Sequence, residues 1–160
     1  MRRAALGSFV FLVVAPGTMG VVVPWALTGW EAESPTWPLQ VLGGVLIAAG
    51  AAILLHAFAR FVLEGRGTPA PVAPTEELVV GGIYRHVRNP MYLTVTAVIA
   101  GQALVLGRLG LGVYAIAFWV LTAAFVKSYE EPVLTRRYGE RYRIYRDNVP
   151  AWVTRLRPWR

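Results

Sequence analysis

Two short stretches of this sequence hold most of its chemically versatile side chains. Residues 81–95 read GGIYRHVRNPMYLTV, so two arginines, a histidine, an asparagine and a proline stand directly before one of the most apolar parts of the chain. Residues 127–150 read KSYEEPVLTRRYGERYRIYRDNVP and begin where another apolar run ends, with the adjacent carboxylates Glu130 and Glu131. Asn89 before Pro90 is a helix-start signal: asparagine suits the cap, and proline suits the first helical position because its missing N–H would have no partner there. The free N–H groups and positive dipole end of such a helix favour an anion such as a carboxylate or phosphate. Gly81-Gly82 supplies a tight turn before it, and Tyr84 and Tyr92 bring aromatic faces to the same neighbourhood. Anchoring of a membrane span by interfacial arginine and tyrosine accounts for this first stretch taken alone. It does not account for Glu130 and Glu131, because acids are unfavourable at a helix C-terminus and gain nothing from an anionic leaflet. Those two are expected to meet hydroxyl or cationic groups.

The elements that must position these side chains are apolar. With 56% hydrophobic and only 16% charged residues, the chain departs far from the balance of a water-soluble domain. It has no cysteine, which excludes disulfides, thiol nucleophiles and cysteine metal sites, and no metal site is expected. The net charge of +7 gathers at the ends of apolar segments and in the tail, where residues 127–160 hold nine Lys/Arg against four Asp/Glu. That pattern fits an anionic membrane surface rather than nucleic acid. Four apolar segments, about 4–27, 39–63, 90–106 and 109–126, approach the roughly 20 residues that a ~30 Å hydrocarbon core requires. Only Gly107-Arg108-Leu109-Gly110 separates the last two, which predicts a tight hairpin returning Glu130 and Glu131 to the neighbourhood of Asn89-Pro90.

Arg2 and Arg3 precede the first segment, Glu31 and Glu33 follow it, and Arg60, Arg66, Arg85 and Arg88 flank the middle loop. By the positive-inside rule both termini and that loop are cytoplasmic, with Arg108 the one dissenting charge. The first segment has some character of a signal peptide, but its apolar run continues through Val21-Val22-Val23 with no clear small-residue cleavage site. Pro16, Gly17, Gly20 and Pro24 should kink it. In the second segment Gly44, Ala48 and Ala52 form a four-residue ladder of small side chains suited to close helix packing. His56 and Arg60 share a face near its end, as either a functional pair or a packed histidine beside a snorkelling arginine. The loop from Glu64 to Val80, with Gly-Arg-Gly and the Pro-rich TPAPVAPTEE, is expected to run over the cytoplasmic surface. Leu134, Tyr138, Tyr142 and Tyr145 recur at spacings of four, four and three, with Arg136, Arg137, Arg141 and Arg143 on much of the remainder, which predicts an interfacial helix.

G-G-I-Y-R-H-V-R-N-P-M-Y-L, followed by a hairpin and then E-E-P-V-L-T-R-R-Y-G-E-R-Y-R-I-Y-R-D-N-V-P, resembles the isoprenylcysteine carboxyl methyltransferase family and its bacterial phospholipid methyltransferase relatives. The resemblance covers about residues 76–150 and is specific in order, spacing and placement at two membrane exits. It implies an integral membrane enzyme that takes S-adenosylmethionine from the cytoplasm and methylates a lipid-borne or isoprenoid-linked acceptor. Carried over residue by residue, the cofactor-binding pattern falls on Leu78, Val79, Tyr84, Asn89, Pro90, Met91, Tyr92 and Glu130. A carboxylate suits ribose hydroxyls, a helix start suits the methionine carboxylate, and a tyrosine face attracts a sulfonium. Isoprenylcysteine methyltransferases usually carry His where Asn89 stands and Arg about one turn before the carboxylate pair, where this chain has Val126 and Lys127, so the cofactor half of the match is the closer one. A carboxylate acceptor needs no base, whereas an amine or phenol must lose a proton, and His86 or Glu131 is the nearest candidate catalytic residue by sequence.

These readings predict an all-α integral membrane protein of about four transmembrane helices with a C-terminal cytoplasmic interfacial helix. Residues 1–160 form one methyltransferase domain, with its cofactor region at about 76–150, in the inner membrane and with the site facing the cytoplasm. The rival is a non-catalytic small transporter or partner-binding subunit. A transporter is expected to place polar groups near the midplane, and the last two segments offer only Thr94, Thr96, Gln102 and Thr122.

Overall fold

The computed structural model describes residues 13–64 and 77–160. Arg2, Arg3, Arg66, the start of the first apolar segment and most of the Pro-rich loop lie outside them. All regular structure among the described residues is helical. Helix α1 (Val13–Thr28) contains a π-helical turn at Thr18–Val22, and α2 (Trp37–Glu64) follows a short connection. A 3₁₀ turn, Gly82–Arg85, leads to α3 (Pro90–Leu106). Then α4 (Leu109–Phe125) passes through a second π turn, Val126–Glu130, into α5 (Glu131–Tyr138), and α6 (Glu140–Asn148) precedes an irregular tail.

Two helices, Trp37–Arg60 and Leu109–Tyr138, are long and apolar enough on their own to cross a membrane; Val13–Thr28 and Pro90–Leu106 are shorter apolar helices. Only 22% and 17% of the two long windows is buried, so their apolar side chains face outward, as in lipid, rather than into a water-soluble core. Val45, Leu55, Val113, Ile116 and Leu121 are among the exposed ones.

Local rules set several ends. Pro90 opens α3, and Gly107, with φ +69°, closes it in the left-handed conformation that glycine adopts without steric cost. Leu109 then starts α4, giving the tight hairpin expected from the sequence. Arg108, at that turn, pairs with the Glu33 carboxylate, donates to the Glu31 carbonyl at 3.0 Å and lies 3.8 Å from the Glu31 carboxylate. The dissenting charge of the sequence is thus neutralised at its own end of the bundle.

The two π turns have one feature in common: each ends two residues before a proline, Pro24 in α1 and Pro132 in α5. Pro24 has no N–H to offer the carbonyls one turn back. Those of Met19 and Gly20 are taken instead by the Tyr114 hydroxyl at 2.9 Å and the Gln102 amide at 2.7 Å. An unpaired carbonyl in a low-dielectric interior costs more than a helix can readily bear, so these bonds tie α1 to α3 and α4. The disturbance expected from Pro24 therefore takes the form of a widened turn with two foreign donors.

Two expectations are corrected. The ladder that packs α2 on α3 is not Gly44, Ala48 and Ala52, which are exposed; nothing lies within 4 Å of a methyl group placed on Gly44. The buried glycines of α2 are Gly43, facing Gly101, and Gly50, facing Thr94 and Val98. A methyl group on Gly43 would fall 2.5 Å from the Gly101 carbonyl oxygen, and one on Gly101 2.7 Å from the Gly43 carbonyl oxygen, so the two backbones touch. Gly101→Val is expected to destabilise the bundle by about 1–3 kcal/mol through overpacking, and Gly44→Ala to leave it unchanged. Thermal unfolding midpoints of the two variants in detergent check this pair of outcomes; equal midpoints would refute the assignment.

The second correction concerns the aromatic stripe. It does not run along one interfacial helix, because Gly139 (φ +56°, ψ −127°) breaks the chain between α5 and α6. Nor do its rings lie against a membrane plane: Tyr142 and Tyr145 are each only 3% exposed.

Candidate functional site

A cavity of about 250 Å³ lies where α1, the 78–92 segment, α4, α5 and α6 converge. The second π turn is what brings the end of the α4–α5 helix into it. One extra residue in a turn rotates everything beyond by about 100° relative to a regular α-helix. Glu130, the last residue of that turn, thereby faces α3, where the Tyr92 hydroxyl donates to its Oε1 at 2.5 Å. The sequence spacing anticipates the two stretches meeting; the partner of Glu130 follows from the helical irregularity.

All eight residues on which the resemblance places the cofactor pattern, from Leu78 to Glu130, line this one cavity. His86 and Glu131 do not. The His86 ring bonds through Nδ1 to the Arg155 carbonyl at 2.8 Å, and it lines a separate groove. The Glu131 carboxylate accepts from Arg88 Nη1 at 2.7 Å, and it is Arg88 that lines the cavity.

Leu134, Tyr138, Tyr142 and Tyr145, the stripe read as a membrane anchor, also line it, as do Met19 and Phe118, for which the sequence offers no signal. The stripe's spacing is a sound pointer to one surface, but that surface turns inward. Burial pushes the Tyr142 hydroxyl above its usual range against the opposing Arg88 charge, and burial pushes Tyr145 up as well, so both remain neutral. Tyr145 donates to the Tyr84 carbonyl at 2.7 Å, which fixes the 3₁₀ turn over the cavity.

The polar residues before α3 also hold the C-terminal tail. Arg85 Nε donates to the Trp159 carbonyl at 2.5 Å, and the Trp159 N–H returns a bond to the Arg85 carbonyl at 2.9 Å. Arg88 Nε donates to the Val149 carbonyl at 2.8 Å, and the Arg88 N–H to the Pro150 carbonyl at 3.0 Å. Asn89 stands at the cap position of α3 but makes no side-chain cap bond; its amide donates to the Ala151 carbonyl at 3.2 Å. Together with the His86 ring, these donors replace the water that the tail carbonyls would otherwise need.

The described helices thus form a bundle with outward apolar faces and, at one end, a tyrosine-lined cavity whose polar groups include Arg88, Asn89 and Glu130. The chain belongs to the phospholipid methyltransferase family, whose model matches residues 39–141. A phosphatidylethanolamine N-methyltransferase of Yarrowia lipolytica (strain CLIB 122 / E 150) is 31% identical over 125 residues, which is 72% of this chain and 13% of that protein. The chain therefore spans only about an eighth of the relative's length. No solved structure matches it.

Proposed function

We propose that the chain is an S-adenosylmethionine-dependent methyltransferase acting on the amine headgroup of a membrane phospholipid. Family membership and the name of the yeast relative support a phospholipid acceptor. The observation that carries the cofactor reading is that all eight residues on which the family resemblance places the cofactor pattern line one cavity. The donor set suits the ligand. Glu130 offers a carboxylate for ribose hydroxyls, the N–H groups at the start of α3 suit a carboxylate, and Tyr84 and Tyr92 present ring faces to a cation. When bound, S-adenosylmethionine supplies an electrophilic methyl group.

Methyl transfer is an in-line displacement, so what the residues must chiefly do is hold donor and acceptor in line and keep competing water out. An ammonium acceptor must shed a proton before it can attack; neither His86 nor Glu131 lines the cavity to take it, so in this reading the proton passes to water. All four apolar helices cross the bilayer in this reading, with the cavity at the cytoplasmic face of an inner membrane, as the arginine distribution favours. A soluble donor and a lipid acceptor can meet only at such a boundary. With purified protein in lipid nanodiscs, label from methyl-labelled S-adenosylmethionine is expected in the organic-extractable lipid. Efficient transfer to a small water-soluble amine, with none to lipid, would defeat the proposal.

A further inference from the structure

Residues 149–160 form an irregular tail beyond the stretch matched by the family model, which stops at residue 141. None of them lines the cavity. They nevertheless hold residues 85–89, the passage from the 3₁₀ turn into α3, which leads along the cavity wall. The Arg155 N–H donates to the His86 carbonyl at 3.0 Å, beside the bonds that join Arg85 to Trp159, Arg88 to Pro150 and Asn89 to Ala151. One 3₁₀ turn cannot pair its last carbonyls by itself, so those of Arg85 and His86 and the N–H of Arg88 depend on the tail.

A tryptophan fastens each end of this strap. The Trp152 ring meets Trp119 of α4 edge-on, with centroids 6.0 Å apart. The Trp159 ring lies 5.6 Å from that of Tyr145 and packs on the cluster containing Val79, Tyr84, Tyr142 and Tyr145, all of which line the cavity. The tail also decides what Asn89 does. An asparagine at the cap position ordinarily uses its side chain on the first N–H groups of the helix. Here its amide goes to the Ala151 carbonyl and no side-chain cap bond forms, so the start of α3 stays open to a ligand carboxylate.

We propose that the tail positions the cofactor cavity and that Trp159 is a positioning residue. Trp159 acts through Tyr145, whose hydroxyl holds the Tyr84 carbonyl at 2.7 Å. The proposal deepens the cofactor reading above and rests on it. Its consequence is reciprocal: a tail that favours the ligand-binding form of the cavity must be tightened by a ligand that touches none of its residues.

Hydrogen exchange of the full chain in lipid nanodiscs, followed by mass spectrometry with and without saturating S-adenosylhomocysteine, tests this. Exchange in residues 151–160 is expected to slow at least about fivefold on binding, while that in residues 105–111, at the hairpin between α3 and α4, stays within about twofold. In isothermal titration Trp159→Ala should weaken S-adenosylhomocysteine about tenfold, with Trp159→Phe restoring most of the affinity. Leu156→Ala, in the same tail but at a 97% exposed position, should change nothing. Unfolding midpoints show whether each variant is folded, and the wild-type exchange is decisive without any variant. Unchanged tail exchange in a wild type that binds the ligand overturns the proposal. Equal slowing at the tail and the hairpin does so too, since it marks general stabilisation, as does wild-type affinity in folded Trp159→Ala. A wild type that does not bind S-adenosylhomocysteine overturns the cofactor reading itself, and this proposal with it.

Discussion

Glu130→Gln is expected to weaken S-adenosylhomocysteine binding about a hundredfold while leaving the protein folded. The substitution keeps volume and shape, and the amide oxygen can still accept from Tyr92, whose hydroxyl lies 2.5 Å from the present carboxylate. What is lost is the charge. Hydrogen bonds to a charged acceptor contribute about 1.5–3 kcal/mol each, against about 1 for neutral ones, so two ribose hydroxyls lose on the order of 3 kcal/mol, which is about two decades in affinity. Isothermal titration of the purified variant measures this directly. An affinity within threefold of wild type would remove Glu130 from the cofactor site and, with it, the strongest chemical reason for placing a ribose in this cavity.

Arg88→Met carries the largest expected loss of stability. Its guanidinium bonds Glu131 at 2.7 Å, the Tyr142 hydroxyl at 3.3 Å and the Val149 carbonyl at 2.8 Å. Both charged partners are largely buried, with side chains 12% and 21% exposed. Removing one member of such a pair leaves the other charge with neither water nor partner, a cost of about 3 kcal/mol. The unfolding midpoint should fall accordingly, and hydrogen exchange in residues 149–160 should rise as the tail loses its hold. Adding Glu131→Gln to Arg88→Met should recover part of the loss, since it removes the stranded carboxylate. A double variant that is less stable than Arg88→Met by the full effect of Glu131→Gln would show that the two do not act as a pair.

Legibility differed residue by residue. The boundaries of α3 were readable because Pro90 and Gly107 act on their own backbone, whatever surrounds them. The approach of Glu130 to Asn89-Pro90 was readable because a turn as short as Gly107-Arg108 returns the second helix alongside the first. The bonds that His86, Arg88 and Asn89 make were not readable, because their partners are carbonyls and a carboxylate at least 43 residues away in the sequence. The inward turn of Tyr142 and Tyr145 was likewise hidden: an aromatic stripe looks the same whether it meets lipid or a cavity.

By itself the sequence determined what depends on local backbone chemistry and on total apolar content: the apolar helices, outward faces suited to lipid, the hairpin, and a family pattern placed before and after it. The tertiary structure alone decided which way each helix turns about its axis. On a soluble helix a polar face marks the outside. In α2 nearly every face is apolar, so nothing local distinguishes Gly43 from Gly44, one residue and about 100° apart. The distinction comes from the backbone of α3 at Gly101, which only Gly43 lets approach. The same holds for Glu130, whose direction is set by a π turn ahead of Pro132 and by the Tyr92 hydroxyl waiting across the cavity.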